Sequence, residues 1–172
     1  GIRLLPNGKP ATIELSIVPA FGAWPDVGQL VAKDWEKVGI KTIVQIRERA
    51  LHFKMRDANE LMAEIWNEDT SAFPFTGNSK YDPRNSPIMT MGPLWGQWGL
   101  TGGKEGVEPP ASMKRIMEIG DLTRAVGPDE QVKLAKEMFK LWVDDMYEIG
   151  TIGLTPMVQG VVVVNSKFQN VP

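Results

Sequence analysis

The stretch from Thr12 to Ile46 most constrains the fold. Thr12 to Val18 alternates Ile13, Leu15 and Ile17 against Thr12, Glu14 and Ser16, the period of two expected of a strand with one buried and one wetter face. Trp24-Pro25-Asp26 then opens a helix, with Pro tolerated in the first turn and Asp26 favourable at the positive end of the dipole. Val27, Leu30, Val31, Trp35 and Val38 fall at helical spacing and are expected to pack on the sheet, and Gly39 stands where a left-handed cap is wanted. Ile40 to Ile46 is a second strand. Strand, helix, strand with a right-handed crossover makes the two strands parallel.

A second unit follows. Arg49 to Asp57 reads as a short, weakly amphipathic helix and Glu60 to Trp66 as a third strand. Asn67 to Pro110 is expected to be one long irregular loop, because Pro, Gly, Asn and Ser are dense in it, and a loop of that length in a compact domain is usually functional or supported by a partner surface. Ser112 to Val126 and Asp129 to Tyr147 form a helical hairpin about Gly127-Pro128, the second helix carrying Val132, Ala135, Phe139, Trp142 and Met146 on one stripe. Thr151 to Met157 and Gly160 to Val164 read as a terminal strand pair. The expected fold is α/β, a mixed β-sheet flanked by helices, in a single domain of 172 residues.

Composition excludes several functions. With 19 Lys+Arg against 21 Asp+Glu the net charge is -2, so a nucleic-acid partner is not expected. The longest purely aliphatic run, Val161 to Val164, is strand-length, far short of the roughly eighteen apolar residues of a membrane-spanning helix. The absence of cysteine removes disulfides, thiolate zinc sites and cysteine nucleophiles. The start at Gly1, without Met or a signal peptide, is expected to mark a mature or excised segment.

Ends of parallel strands are where ligands sit, because side chains there are free to point into a crevice. That directs attention to Leu61 to Phe75, where the third strand closes on Trp66-Asn67-Glu68-Asp69. Adjacent Glu68 and Asp69 are expected to hydrogen-bond a ligand rather than act as a catalytic pair. His52 is the only histidine, so neither a His-based metal cluster nor a Ser-His-Asp triad is expected, and no cofactor or metal; on the short helix it is expected at the surface or half-packed. Thr101-Gly102-Gly103-Lys104-Glu105-Gly106 is a turn rather than a phosphate loop, since Glu105 replaces the magnesium-holding hydroxyl and no strand leads in. Met113, Met117 and Met138 fit helix faces as core filling. Trp35 and Trp142 are expected in the core. Trp24, Trp66, Trp95 and Trp98, at strand ends or in loops, could stack on a sugar ring or an apolar side chain.

The order of elements, together with GIRLLPNGKP, EKVGIKT (Glu36 to Thr42), Trp66-x-x-Asp69, the helix pair and GLTPMVQGVVVVN (Gly153 to Asn165), resembles the carboxy-terminal lobe of the family-5 extracellular solute-binding proteins, across essentially the whole chain. These are the receptors of ABC importers for dipeptides, oligopeptides, nickel complexes and some oligosaccharides. The resemblance implies one lobe of a two-lobed periplasmic-binding-protein-like fold, no enzymatic activity, and a periplasmic or extracellular place. It implies as partners a small solute, an ABC permease in the membrane and the amino-terminal lobe of the same receptor. In peptide-binding members the Asp of W-x-x-D, here Asp69, receives the peptide α-amino group through a charge-assisted hydrogen bond. The aromatic continuation through Phe73 and Phe75, and the tryptophans of GPLWGQWG (Gly92 to Gly99), look more like an oligosaccharide-binding branch. The expected ligand-binding set is Trp66, Asn67, Glu68, Asp69, Phe73, Trp95 and Trp98. The rival readings are a glycoside or peptide hydrolase using Glu68 and Asp69, and a protein-interaction domain.

Overall fold

The computed structural model describes residues 1–19, 22–67, 81–85 and 91–150. The chain opens on the expected turn: Gly8 takes a φ of 77°, the Asn7 side chain accepts from the Lys9 N–H, and Leu4 and Pro10 bridge across it. β1 (Thr12–Ile17) is the central strand, with β2 (Lys41–Ile46) parallel on one side and β3 (Ala63–Glu64) parallel on the other, in the order β2-β1-β3. The parallel arrangement expected from the crossover rule is therefore met.

α1 (Trp24–Lys37) connects β1 to β2. It stops at Gly39 as expected: φ is 86°, the Gly39 N–H donates to the Glu36 carbonyl, and the Ile40 N–H reaches back to Trp35, the paired bonds that satisfy a helix's last carbonyls. Its buried face differs from the expected stripe. Trp24, Gly28 and Ala32 are buried, Val27, Val31 and Trp35 are half-buried, and Leu30 and Val38 are exposed. Glycine decides this rotation: a Cβ on Gly28 would lie 2.0 Å from Ile17 Cδ1, so the helix approaches β1 along the one line where no side chain intervenes.

α2 (Arg49–Asp57) is capped by Glu48, whose carboxylate accepts from the Ala50 and Leu51 N–H groups, and it ends on Asn59 at a φ of 58°. The Glu60 N–H turns back to the Met55 carbonyl in that cap, which shortens the expected strand Glu60 to Trp66 to β3, two residues long.

The expected irregular stretch 67–110 contains a helix, α3 (Pro93–Leu100), introduced by Gly92 at a φ of 63°. Its glycines allow close packing rather than breaking it: a Cβ on Gly96 would meet the Pro83 carbonyl oxygen at 2.0 Å. α4 (Ala111–Leu122) runs into a 3-10 turn (Thr123–Ala125) and is followed by α5 (Pro128–Asp144). Met113, Ile116, Met117 and Ile119 pack against Leu134, Met138 and Trp142. The methionines and Trp142 are core as expected. The α5 stripe is not the expected one, since Val132 and Met146 are exposed and the buried line is Leu134, Met138 and Trp142. The expected strands at 151–157 and 160–164 lie outside the described residues.

Candidate functional site

The two faces of β1 are covered differently. Leu15 and Ile17 turn into an apolar cluster with Trp24, Val31, Val44, Ala63, Ile65 and Trp66. Glu14 and Ser16, by alternation on the opposite face, meet polar groups. This face was expected to be wetter, yet Ser16 is 1% exposed, because α2 lies over it.

A continuous polar row occupies that face. Arg47, directly after β2, donates from one guanidinium nitrogen to Glu14 Oε1 at 2.5 Å and from the other to Ser16 Oγ at 2.9 Å. Ser16 Oγ lies 3.0 Å from His52 Nδ1, and His52 Nε2 lies 2.5 Å from Glu64 Oε2. Ser16 Oγ accepts from Arg47, and the Glu64 carboxylate is an acceptor for the His52 ring nitrogen that faces it. His52 is fully buried, correcting the expectation of a surface or half-packed residue. The arrangement is also a Ser-His-carboxylate row, which the lone histidine was not expected to supply. It is not disposed for nucleophilic catalysis: Ser16 and His52 are sealed from solvent, and Arg47 occupies the hydroxyl oxygen that would attack.

At the carboxyl end of β3 this row supports an aromatic group. The Trp66 ring stacks on His52, with centroids 5.8 Å apart and planes 16° from parallel. Trp24 and Phe53 set their rings against it at 5.3 and 5.2 Å, steeply inclined. The Arg49 guanidinium lies over both Phe53 and Trp66, at 5.2 and 6.0 Å, and Arg56 over Phe53 at 4.7 Å. Glu48, one residue before this cationic turn, is held below the usual carboxylate range by the Ala50 N–H first and the Leu51 N–H second. Trp66 and Asn67 are half-buried, and the chain leaves the sheet there. Glu68, Asp69 and Phe73 lie outside the described residues.

Trp95 and Trp98 belong to another neighbourhood. Both sit on α3, half-buried, and Trp95 packs on the helical cluster edge-on to Tyr147 at 6.0 Å. Lys114 Nζ lies 5.3 Å over Trp98, and a Cβ on Gly103 would come within 3.4 Å of that indole. Tyr147 also shares a 2.9 Å hydrogen bond with Ser112, and burial pushes its hydroxyl up from the usual range. Trp66 thus lies with the sheet, Trp95 with the helical hairpin. A cavity of about 340 Å³ between Asp57 and α3, walled by Pro83, Leu94 and Leu100, is lined by none of the described site residues.

Thr101 to Gly106 closes on itself as a turn, as expected: the Thr101 hydroxyl donates to the Gln97 carbonyl and accepts from the Glu105 N–H, and Gly102, Gly103 and Gly106 all have positive φ. Among the described residues no group of three or more His, Asp or Glu could hold a metal ion, and no helix is long and apolar enough to cross a membrane.

No protein-family model and no curated protein matches the chain. Solved structures share its fold. The oligopeptide-binding protein OppA superposes with a TM-score of 0.73 at 24% identity, over 85% of this chain and 25% of its own. NikA from Brucella suis, in complex with Fe(III)-EDTA, superposes with a TM-score of 0.57 at 15% identity, over 82% of this chain and 26% of its own. The chain spans about a quarter of the length of either. At these identities the likeness establishes fold, and at that level the resemblance read from the sequence is borne out: the chain has the α/β fold of the matching part of OppA.

Proposed function

We propose that the chain is one lobe of the solute-binding component of an ABC importer, that it captures an oligopeptide, and that it performs no chemistry on it. The observation that carries this reading is the position of Trp66: its ring closes the carboxyl end of a parallel sheet, and three residues later comes Asp69. Strand ends of this kind are where α/β proteins take small ligands. The fold likeness to an oligopeptide-binding protein supports the same reading. In it Asp69 receives the peptide α-amino group, Glu68 and Asn67 hydrogen-bond the backbone, and Trp66 and Phe73 wall the cleft.

The oligosaccharide reading rested on several tryptophans stacking along one ligand. The separate packing of Trp66 and Trp95 weighs against such a row and favours the peptide. The other lobe, the permease and a periplasmic or extracellular location belong to this proposal, as does a cleft that is half missing from the isolated chain. Calorimetric titration of the full-length protein with tri- and tetrapeptides tests it. Binding that is lost when the peptide amine is acetylated, and that falls about a hundredfold in Asp69→Asn, agrees with a charge-assisted contact of about 3 kcal/mol. Equal affinity for acetylated and free peptides would overturn it.

A further inference from the structure

Glu64 presents an anomaly. Its side chain is 9% exposed and Oε2 faces His52, but Oε1 is buried without a hydrogen-bond partner. An unsatisfied buried carboxylate oxygen is destabilising, and an apolar pair would join α2 to β3 without that cost. What a polar row provides and an apolar pair does not is direction. Hydrogen bonds at both ring nitrogens, one to β1 and one to β3, fix the plane of the imidazole, and hydrophobic contact leaves a ring free to turn.

The plane so fixed is the one on which Trp66 lies. We infer that His52 is a positioning residue for Trp66: the row from Arg47 through Ser16 and His52 to Glu64 holds the imidazole as a flat support and thereby sets the angle at which the indole faces the cleft. The inference rests on the solute-binding reading only for the cleft itself; the mechanical relation stands on the geometry. Trp24 and Phe53 abut the indole at 65° and 60° and limit its slide, the Arg49 guanidinium lies 6.0 Å from its ring centre, and of the three rings against it His52 is the one that lies nearly parallel. Ordering the wall before the ligand arrives lowers the entropy cost of capture.

The test is fluorine NMR of the full-length protein labelled with 5-fluorotryptophan, with Trp66 assigned through Trp66→Phe. Glu64→Leu removes the partner of Nε2; Glu64→Gln keeps an oxygen acceptor and is the rescue. The expected result is a Trp66 resonance that shifts and broadens in Glu64→Leu, returns in Glu64→Gln, and moves while Trp35, Trp95, Trp98 and Trp142 hold still. A Trp66 resonance unchanged in folded Glu64→Leu overturns the inference. If Glu64→Leu collapses every signal, Ser16→Ala decides, since it removes the Nδ1 partner and one Arg47 contact but leaves Glu64 in place: a selective Trp66 shift supports the inference and no shift overturns it. This readout needs no solute, so it judges the positioning alone. Whether Trp66 walls a solute cleft is judged separately, by Trp66→Ala in the peptide titration.

Discussion

Ser16 and Glu64 are direct partners across the parallel β1-β3 ladder, and the His52 imidazole spans their two side chains. A single residue of α2 therefore ties together two strands that share only two paired positions. His52→Ala leaves the Glu64 carboxylate buried with both oxygens unpartnered, and the expected loss is about 3 kcal/mol, read as a lower urea midpoint. The double variant His52→Leu/Glu64→Leu is expected to recover most of that loss, because an apolar pair carries no desolvated charge. Its Trp66 ring should nonetheless be less ordered.

Gly96 is where α3 touches the Pro83 backbone. In an exposed helix Gly→Ala gains about 1 kcal/mol. Here the added Cβ would meet a carbonyl oxygen at 2.0 Å and the carbonyl carbon at 2.7 Å, both main-chain atoms that a rotamer change cannot move. Gly96→Ala is expected to destabilise by about 2 kcal/mol net, measured by thermal unfolding.

Met146 is exposed and takes a φ of 53°, in the region that L side chains resist. It ends α5 as Gly39 ends α1: its N–H donates to the Val143 carbonyl, and the Tyr147 N–H to Trp142. Met146→Gly removes the left-handed penalty and is expected to raise stability by about 0.5–1 kcal/mol, seen as a higher melting temperature.

The β-α-β core was legible because period-two and helical patterns follow one another there without ambiguity, and Gly39 marked the stop between them. The role of His52 was not. Its partners lie 36 residues before and 12 after it, so nothing in the local pattern of a short helix announces that they will converge. Gly28 hid the buried face of α1 for a related reason: a stripe drawn through large apolar residues misses a contact made where a side chain is missing. α3 was lost in its own composition, since Gly and Pro read as breakers, whereas Gly92 and Pro93 open the helix and Gly96 seats it. That miss also left Trp95 and Trp98 as loop residues when they are helical ones. The place of Trp66 at a strand end was readable and holds. Glu68, Asp69 and Phe73 carry the expectation forward as a proposal.

Acid should weaken the helical part through two carboxylates. Asp121 is held below its ordinary range chiefly by the hydrogen bond from Arg84, and Glu137 by that from Arg115. A depressed folded value means the native state binds fewer protons than the unfolded chain, so stability rises with pH in this range. The contribution is complete above the unfolded values of 3.8 and 4.5 and is lost as pH falls through the lower folded ones. Both side chains are more than a third exposed, so the effect is modest. Urea midpoints taken between about pH 5 and pH 2 should fall less steeply in Asp121→Asn/Glu137→Gln than in the parent.

Native mass spectrometry of the full-length protein, purified without refolding, tests the central claim most directly by weighing whatever solute it carries. The account predicts a spread of bound masses that fit short peptides and that disappears in Asp69→Asn. A series stepping by hexose units, or a peptide spread unchanged by Asp69→Asn, would contradict it.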